Sequence, residues 1–146
     1  MKYPLVILGL VSFFAGQGSL VLPVGNDAWL VEVSTTGGFF GSGTRAIAVS
    51  SAGQVICSSP AMHCPRDVAV SDIKPLVEMV PHGHVTISTR SIVGFCSDCV
   101  SRTIVVRHRD NLGVLHTYTA SWDDLSASVV SREVMKLYES VLTLSR

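Results

Sequence analysis

The chain has 146 residues, 47% of them hydrophobic, and its 11 basic residues balance 11 acidic ones. A nucleic-acid-binding domain carries a basic excess, and this chain carries none. The length suits one domain built around a single core.

Met1-Lys2 precede an apolar run over residues 3–15, and Gly16 and Gly18 place small residues at the −3 and −1 positions of a cleavage site. That pattern predicts a secretory signal peptide over 1–18, leaving residues 19–146 as the exported domain. A retained membrane anchor is the alternative. A spanning helix needs about 20 apolar residues, whereas Gly16-Gln17-Gly18-Ser19 interrupts this run earlier, so no stable membrane span is expected after cleavage. The expected location is secreted or periplasmic, where disulfides persist.

Residues 19–27 read as an extended arm. Trp29, Val31 and Val33 then alternate with Leu30, Glu32 and Ser34, the period-2 pattern of a half-buried strand. A glycine-rich connection with Gly37, Gly38, Gly41 and Gly43 leads to a second strand over 44–50. Ser51-Ala52-Gly53-Gln54 signals a turn into a third strand over 54–58. Pro60 and Pro65 break regular structure. Ser71 or Asp72 is the expected cap of a short helix with Pro75 in its first turn and Leu76, Val77 and Val80 on its apolar side.

Strand composition returns over 85–95 and 100–109, and Asp110-Asn111-Leu112-Gly113 connects into a last strand over 114–120. After a loop, Ser131 caps the clearest helix, with Val134, Leu137, Tyr138, Val141 and Leu142 at helical spacing. The order βββαβββα predicts an α+β fold, an antiparallel sheet of about six strands with two helices packed on one face.

Cys96 and Cys99 stand at the ends of a tight turn, whose Cα separation below about 7 Å suits a disulfide. Cys57 and Cys64 enclose six residues and close a small loop. Two local disulfides are the favoured connectivity, although spacing alone does not decide it. A redox-active pair draws its reactivity from a helix N-terminus or positive charge, whereas Asp98 is acidic and a strand follows. A zinc site built on all four is disfavoured by the spacing of the first pair.

His82 and His84 flank Gly83, so on an extended segment both imidazoles face one way and could hold a metal with His63 or a carboxylate. Solvated loop histidines are the plainer reading, and neither metal nor cofactor is expected. His108 and His116 are expected as cross-strand neighbours on a solvated face. The loop 37–43 lacks the Gly-Lys-Ser/Thr ending of a phosphate cradle, and no helix follows it. Ser42 lacks the strand-turn-helix setting of a hydrolase nucleophile. Asp123 and Asp124, beside Trp122, are adjacent loop carboxylates that should diverge. No nucleophile, base and orienter assemble, so no catalytic residue is assigned and the chain is read as non-enzymatic.

Phe39 and Phe40 either plug the core or form an exposed apolar tip that docks a partner. Glu32-Val33-Ser34-Thr35-Thr36-Gly37-Gly38-Phe39-Phe40-Gly41, followed by Arg45 and the turn at Gly53, resembles the emfourin group. These are small inhibitors of thermolysin-type metalloproteases whose first hairpin carries a Gly-Gly-Phe-x-Gly signature. The matching positions are Gly37, Gly38, Phe39, Gly41 and Arg45. The signal peptide, the four cysteines and the larger second half depart from that pattern. The resemblance implies an inhibitor-like binding domain in which Gly37, Gly38 and Gly41 shape the hairpin and an extracellular protease is the partner. The alternative is a periplasmic thiol or zinc protein using Cys96 and Cys99.

Overall fold

A computed structural model describes residues 20, 22–37, 45–58, 63–65, 67–88, 99–124 and 126–145. Six strands form one sheet: β1 (Trp29–Thr36), β2 (Arg45–Ser50), β3 (Val55–Cys57), β4 (His84–Ser88), β5 (Ser101–Arg109) and β6 (Leu115–Asp123), in the spatial order β3-β2-β1-β5-β6-β4. Two short helices, α1 (Lys74–Glu78) and α2 (Arg132–Leu142), complete an α+β architecture.

Alternation decides which side of each strand is buried. Val31 pairs with Val49 on one side and Val106 on the other, and Val33 with Ile47 and Ile104. Val106 and Ile104 in turn face Tyr118 and Ala120 of β6. These residues merge with Ile73, Leu76, Val77 and Val80 around α1 and Val134, Leu137, Tyr138 and Val141 of α2 into one core. On the opposite side of the sheet Leu30, Ala46 and Ala48 form a smaller buried cluster, against which Leu20, Leu22 and Ile56 pack, and Ser50 opposite Leu30 is buried as well. There Glu32 and Arg107 pair at 2.7 Å.

The sheet is mixed, which corrects the antiparallel expectation. β4 runs parallel to β6, from His84↔Thr117 to Ser88↔Ser121. Parallel neighbours need a crossover rather than a tight turn. α1 supplies part of one, carrying the chain from the β3 edge to the opposite edge, so β6 separates β4 from β5 although β4 and β5 are consecutive in sequence. The order also differs from expectation by two 3-10 turns, Ala127–Val129 and Thr143–Ser145, on either side of α2. β6 continues to Asp123, beyond its expected end, because Trp122 is a core residue.

Neither Ser71 nor Asp72 caps α1. Its N-cap is Ile73, with no side-chain cap, and the burial of Ile73 sets where the helix begins. In α2, by contrast, the Ser131 hydroxyl accepts a bond from the Val134 amide at 3.3 Å, as a capping serine does. Residues 89–95 of the expected strand 85–95, the segment 1–18 and most of the glycine-rich loop lie outside the described residues.

Cys57 and Cys64 form a disulfide with Cα atoms 6.1 Å apart, tying the short edge strand β3 to the irregular segment after it. Cys99 is also disulfide-bonded, and Cys96 lies outside the described residues. No helix among the described residues is long and apolar enough to cross a membrane.

Candidate functional site

The β5–β6 hairpin brings His108 directly opposite His116. Both lie on the helix-bearing side, and their rings are 6.3 Å apart. His82, at the end of the α1–β4 connector, completes a cluster, with its ring 4.7 Å from that of His116 and 5.6 Å from that of His108. The register of His108 and His116 follows from the hairpin and was readable in the sequence. The approach of His82 depends on β4 lying beside β6, for which the sequence pattern carries no signal.

His84 does not share this site. Gly83 has φ +105°, so the segment is not extended and the two flanking imidazoles do not face one way. His84 enters β4 opposite Thr117, whose side alternates with that of His116. His63 is exposed and does not contribute a ring contact to the cluster.

Hydrogen bonds define the state of His116. The Gly83 amide donates to Nδ1 at 2.8 Å, and an amide can only donate, so Nδ1 carries a lone pair. The proton of the neutral ring then sits on Nε2, which faces Asp110 Oδ2 at 2.9 Å. With both ring nitrogens engaged, His116 has none left for a metal, and no three His, Cys, Asp or Glu side chains among the described residues are arranged to hold one.

Asp110 is the node of the hairpin. Its Oδ1 accepts from the Leu112 amide at 2.9 Å and the Val114 amide at 2.8 Å, while Oδ2 holds His116. The bond to His116 is the largest cause of a carboxyl pKa below its ordinary range, and the bonds from Val114 and Leu112 add to it while burial opposes them. Asn26 of the N-terminal arm donates to the Asn111 carbonyl at 2.9 Å, and Arg109 to that of Gly113 at 3.1 Å. This fixed loop presents apolar side chains to solvent: Leu112 is 83% exposed and Val114 52%.

Between Val77, Val80 and Pro81 on one side and Val106, His108, His116 and Tyr118 on the other lies a space of about 10 Å³. That is room for a single water and not for an organic substrate. Burial lowers the pKa of His108 below its ordinary 6.5, and the neighbouring His82 and His116 lower it further, while Asp27 and Asp110 oppose them. Folding therefore favours neutral His108. Its contribution to stability is complete above pH 6.5 and is lost as pH falls below that value toward the lowered one. Thermal melts should show a decline on acidification through this window, and His108→Gln should flatten it.

The other candidates are placed as follows. Gly37 directly follows β1, beside the backbone of Cys99, and Arg45 opens β2 with its side chain exposed. Gly38, Phe39, Phe40, Gly41 and Ser42 lie outside the described residues. The two aspartates at the end of β6 take separate partners. Asp123 Oδ1 accepts from the Ser126 amide and hydroxyl, and Asp124 pairs with Arg102 and accepts from the Val100 amide. The Arg102 bond, aided by that amide, holds the Asp124 carboxyl below its usual range.

These features define a class: a small disulfide-bonded α+β domain with a fixed hairpin tip at one end of its sheet and an imidazole cluster at the base of that tip. Compared with protein-family models, with curated proteins and with solved structures, the chain gives no match.

Proposed function

We propose that this protein is a small exported binding domain without enzymatic activity, and that it inhibits an extracellular protease by presenting a loop. The observation that carries this reading is the hairpin tip. Leu112 and Val114 are exposed apolar side chains on a loop whose amides are already tied to Asp110. A loop ordered before contact loses little freedom on binding, which is how a small surface gains affinity. The disulfide-bonded state of Cys57, Cys64 and Cys99 supports an oxidising location. The resemblance of residues 32–41 to the metalloprotease inhibitors supports the choice of partner class.

The test is inhibition of a panel of thermolysin-type proteases by an excess of the purified domain. The expected result is loss of activity with at least one of them. Leu112→Glu should weaken that inhibition by about tenfold or more, since a charge placed in a desolvated apolar contact costs at least about 1.4 kcal/mol. Phe39→Ala with Phe40→Ala should leave it largely intact. A panel left fully active sinks the inhibitor reading. Inhibition lost with the phenylalanines but not with Leu112 moves the contact to the glycine-rich loop.

A further inference from the structure

We propose that His82, His108 and His116 form a pH-sensing latch. While the imidazoles are neutral it holds the His82–Gly83 connector to the base of the 110–115 hairpin, and it releases the connector when they take up protons. The latch is one hydrogen bond with a single acceptable protonation state. Gly83 N–H donates to His116 Nδ1 at 2.8 Å, and on the other side of the same peptide segment the Gly83 carbonyl accepts from the Thr117 amide at 2.8 Å. A proton on Nδ1 sets one N–H against another, and the bond to Gly83 is lost.

The surroundings push the same way. His82 faces His116 from the connector and His108 faces it from β5, so each proton taken up adds like charge within 6.3 Å. The opposing charges are Asp110 from the hairpin, which also holds His116 Nε2, and Asp27 from the arm, both acting on His108. α1 offers only Val77 to this space, Val80 and Pro81 follow it in the connector, and Tyr118 comes from β6. Glu78 of α1 is paired with Lys74. His84 and Arg109 lie opposite Thr117 and Leu115, on the side of the sheet away from His116.

The release is selective. Protonated His116 still donates from Nε2 to Asp110 Oδ2, so the hairpin keeps its node and Asp110 Oδ1 keeps the Leu112 and Val114 amides. What comes free is the connector and the leading end of the parallel edge strand β4, beside the exposed tip. The consequence for partner binding rests on the hairpin-tip reading, whereas the latch itself does not.

The test is amide hydrogen exchange of the oxidised domain by NMR, read as protection factors at about pH 7.5 and about pH 5, either side of the ordinary histidine range. Protection of Gly83 and Thr117 should fall by about tenfold, the scale of one lost hydrogen bond, while that of Leu112 and Val114 holds. Imidazole nitrogen shifts at the higher pH should report the Nε2–H tautomer for His116. His116→Asn offers an oxygen acceptor without a titrating ring and should make Gly83 protection independent of pH. Should that variant not fold, the tautomer and the wild-type exchange profile still decide the matter. Unchanged Gly83 protection across the range, or a proton on Nδ1 at the higher pH, overturns the latch. Because exchange is read without a partner, a latch that opens in a domain that inhibits no protease would sink only the proposed function.

Discussion

Trp122→Ala should lower the stability of the domain by about 3–5 kcal/mol, the usual cost of truncating a fully buried large aromatic. Trp122 is 1% exposed and stands on β6, the strand between β5 and β4. Its ring meets that of Tyr138 edge to face at 5.1 Å, joining the sheet to α2. Alanine leaves a cavity at that junction, beside the ring of Tyr138, whose hydroxyl donates to the Ser34 carbonyl. Domains of this size have about 5–15 kcal/mol in total, so the variant should be marginal. Trp122→Phe should cost much less. It keeps most of the apolar volume and removes an indole Nε1 that is buried with no partner among the described residues. Urea titrations should show a lower midpoint for the alanine variant with an unchanged slope. A loss below about 1 kcal/mol would mean that the junction repacks, contrary to the close packing expected of such a core.

Gly37→Ala should cost about 2–4 kcal/mol, because two backbone penalties add at one position. Gly37 has φ +104°, a conformation that residues with a side chain rarely adopt. A Cβ there would also stand 2.7 Å from the Cys99 carbonyl oxygen, an approach that only a shift of backbone relieves. The end of β1 and the disulfide-bonded Cys99 are therefore in contact through a position that has room only for hydrogen. Thermal unfolding of the oxidised variant should show a clearly lower midpoint. A midpoint within a degree or two of wild type would mean that the Cys99 segment moves freely to admit a methyl group.

Local chemistry made much of the fold legible. The alternation at Trp29, Val31 and Val33 identified the buried side of β1, and the helical spacing from Val134 to Leu142 with Ser131 before it located α2 and its cap. Asp110-Asn111-Leu112-Gly113 read as a hairpin, which put His108 opposite His116. Each of these signals acts over a few residues. The cap of α1 is not legible in this way: Ile73 is held by the core, and the polar residues before it only resemble a cap.

By itself, then, the sequence determined which side of β1 and of α2 is apolar, where α2 begins and how β5 turns into β6. Those properties follow from side-chain spacing and turn chemistry within a short stretch of chain. His108 and His116, by contrast, expected on a solvated face, lie on the helix-bearing side. Only the tertiary structure decided that β4 lies parallel to β6 at the far edge of the sheet, and hence that His82 and Gly83 meet His116. Hydrophobic period reports that a strand has a buried face but not which strand pairs with it. Partner choice is set by long-range packing of α1 and the sheet around one core, and the imidazole cluster exists only once that packing is complete.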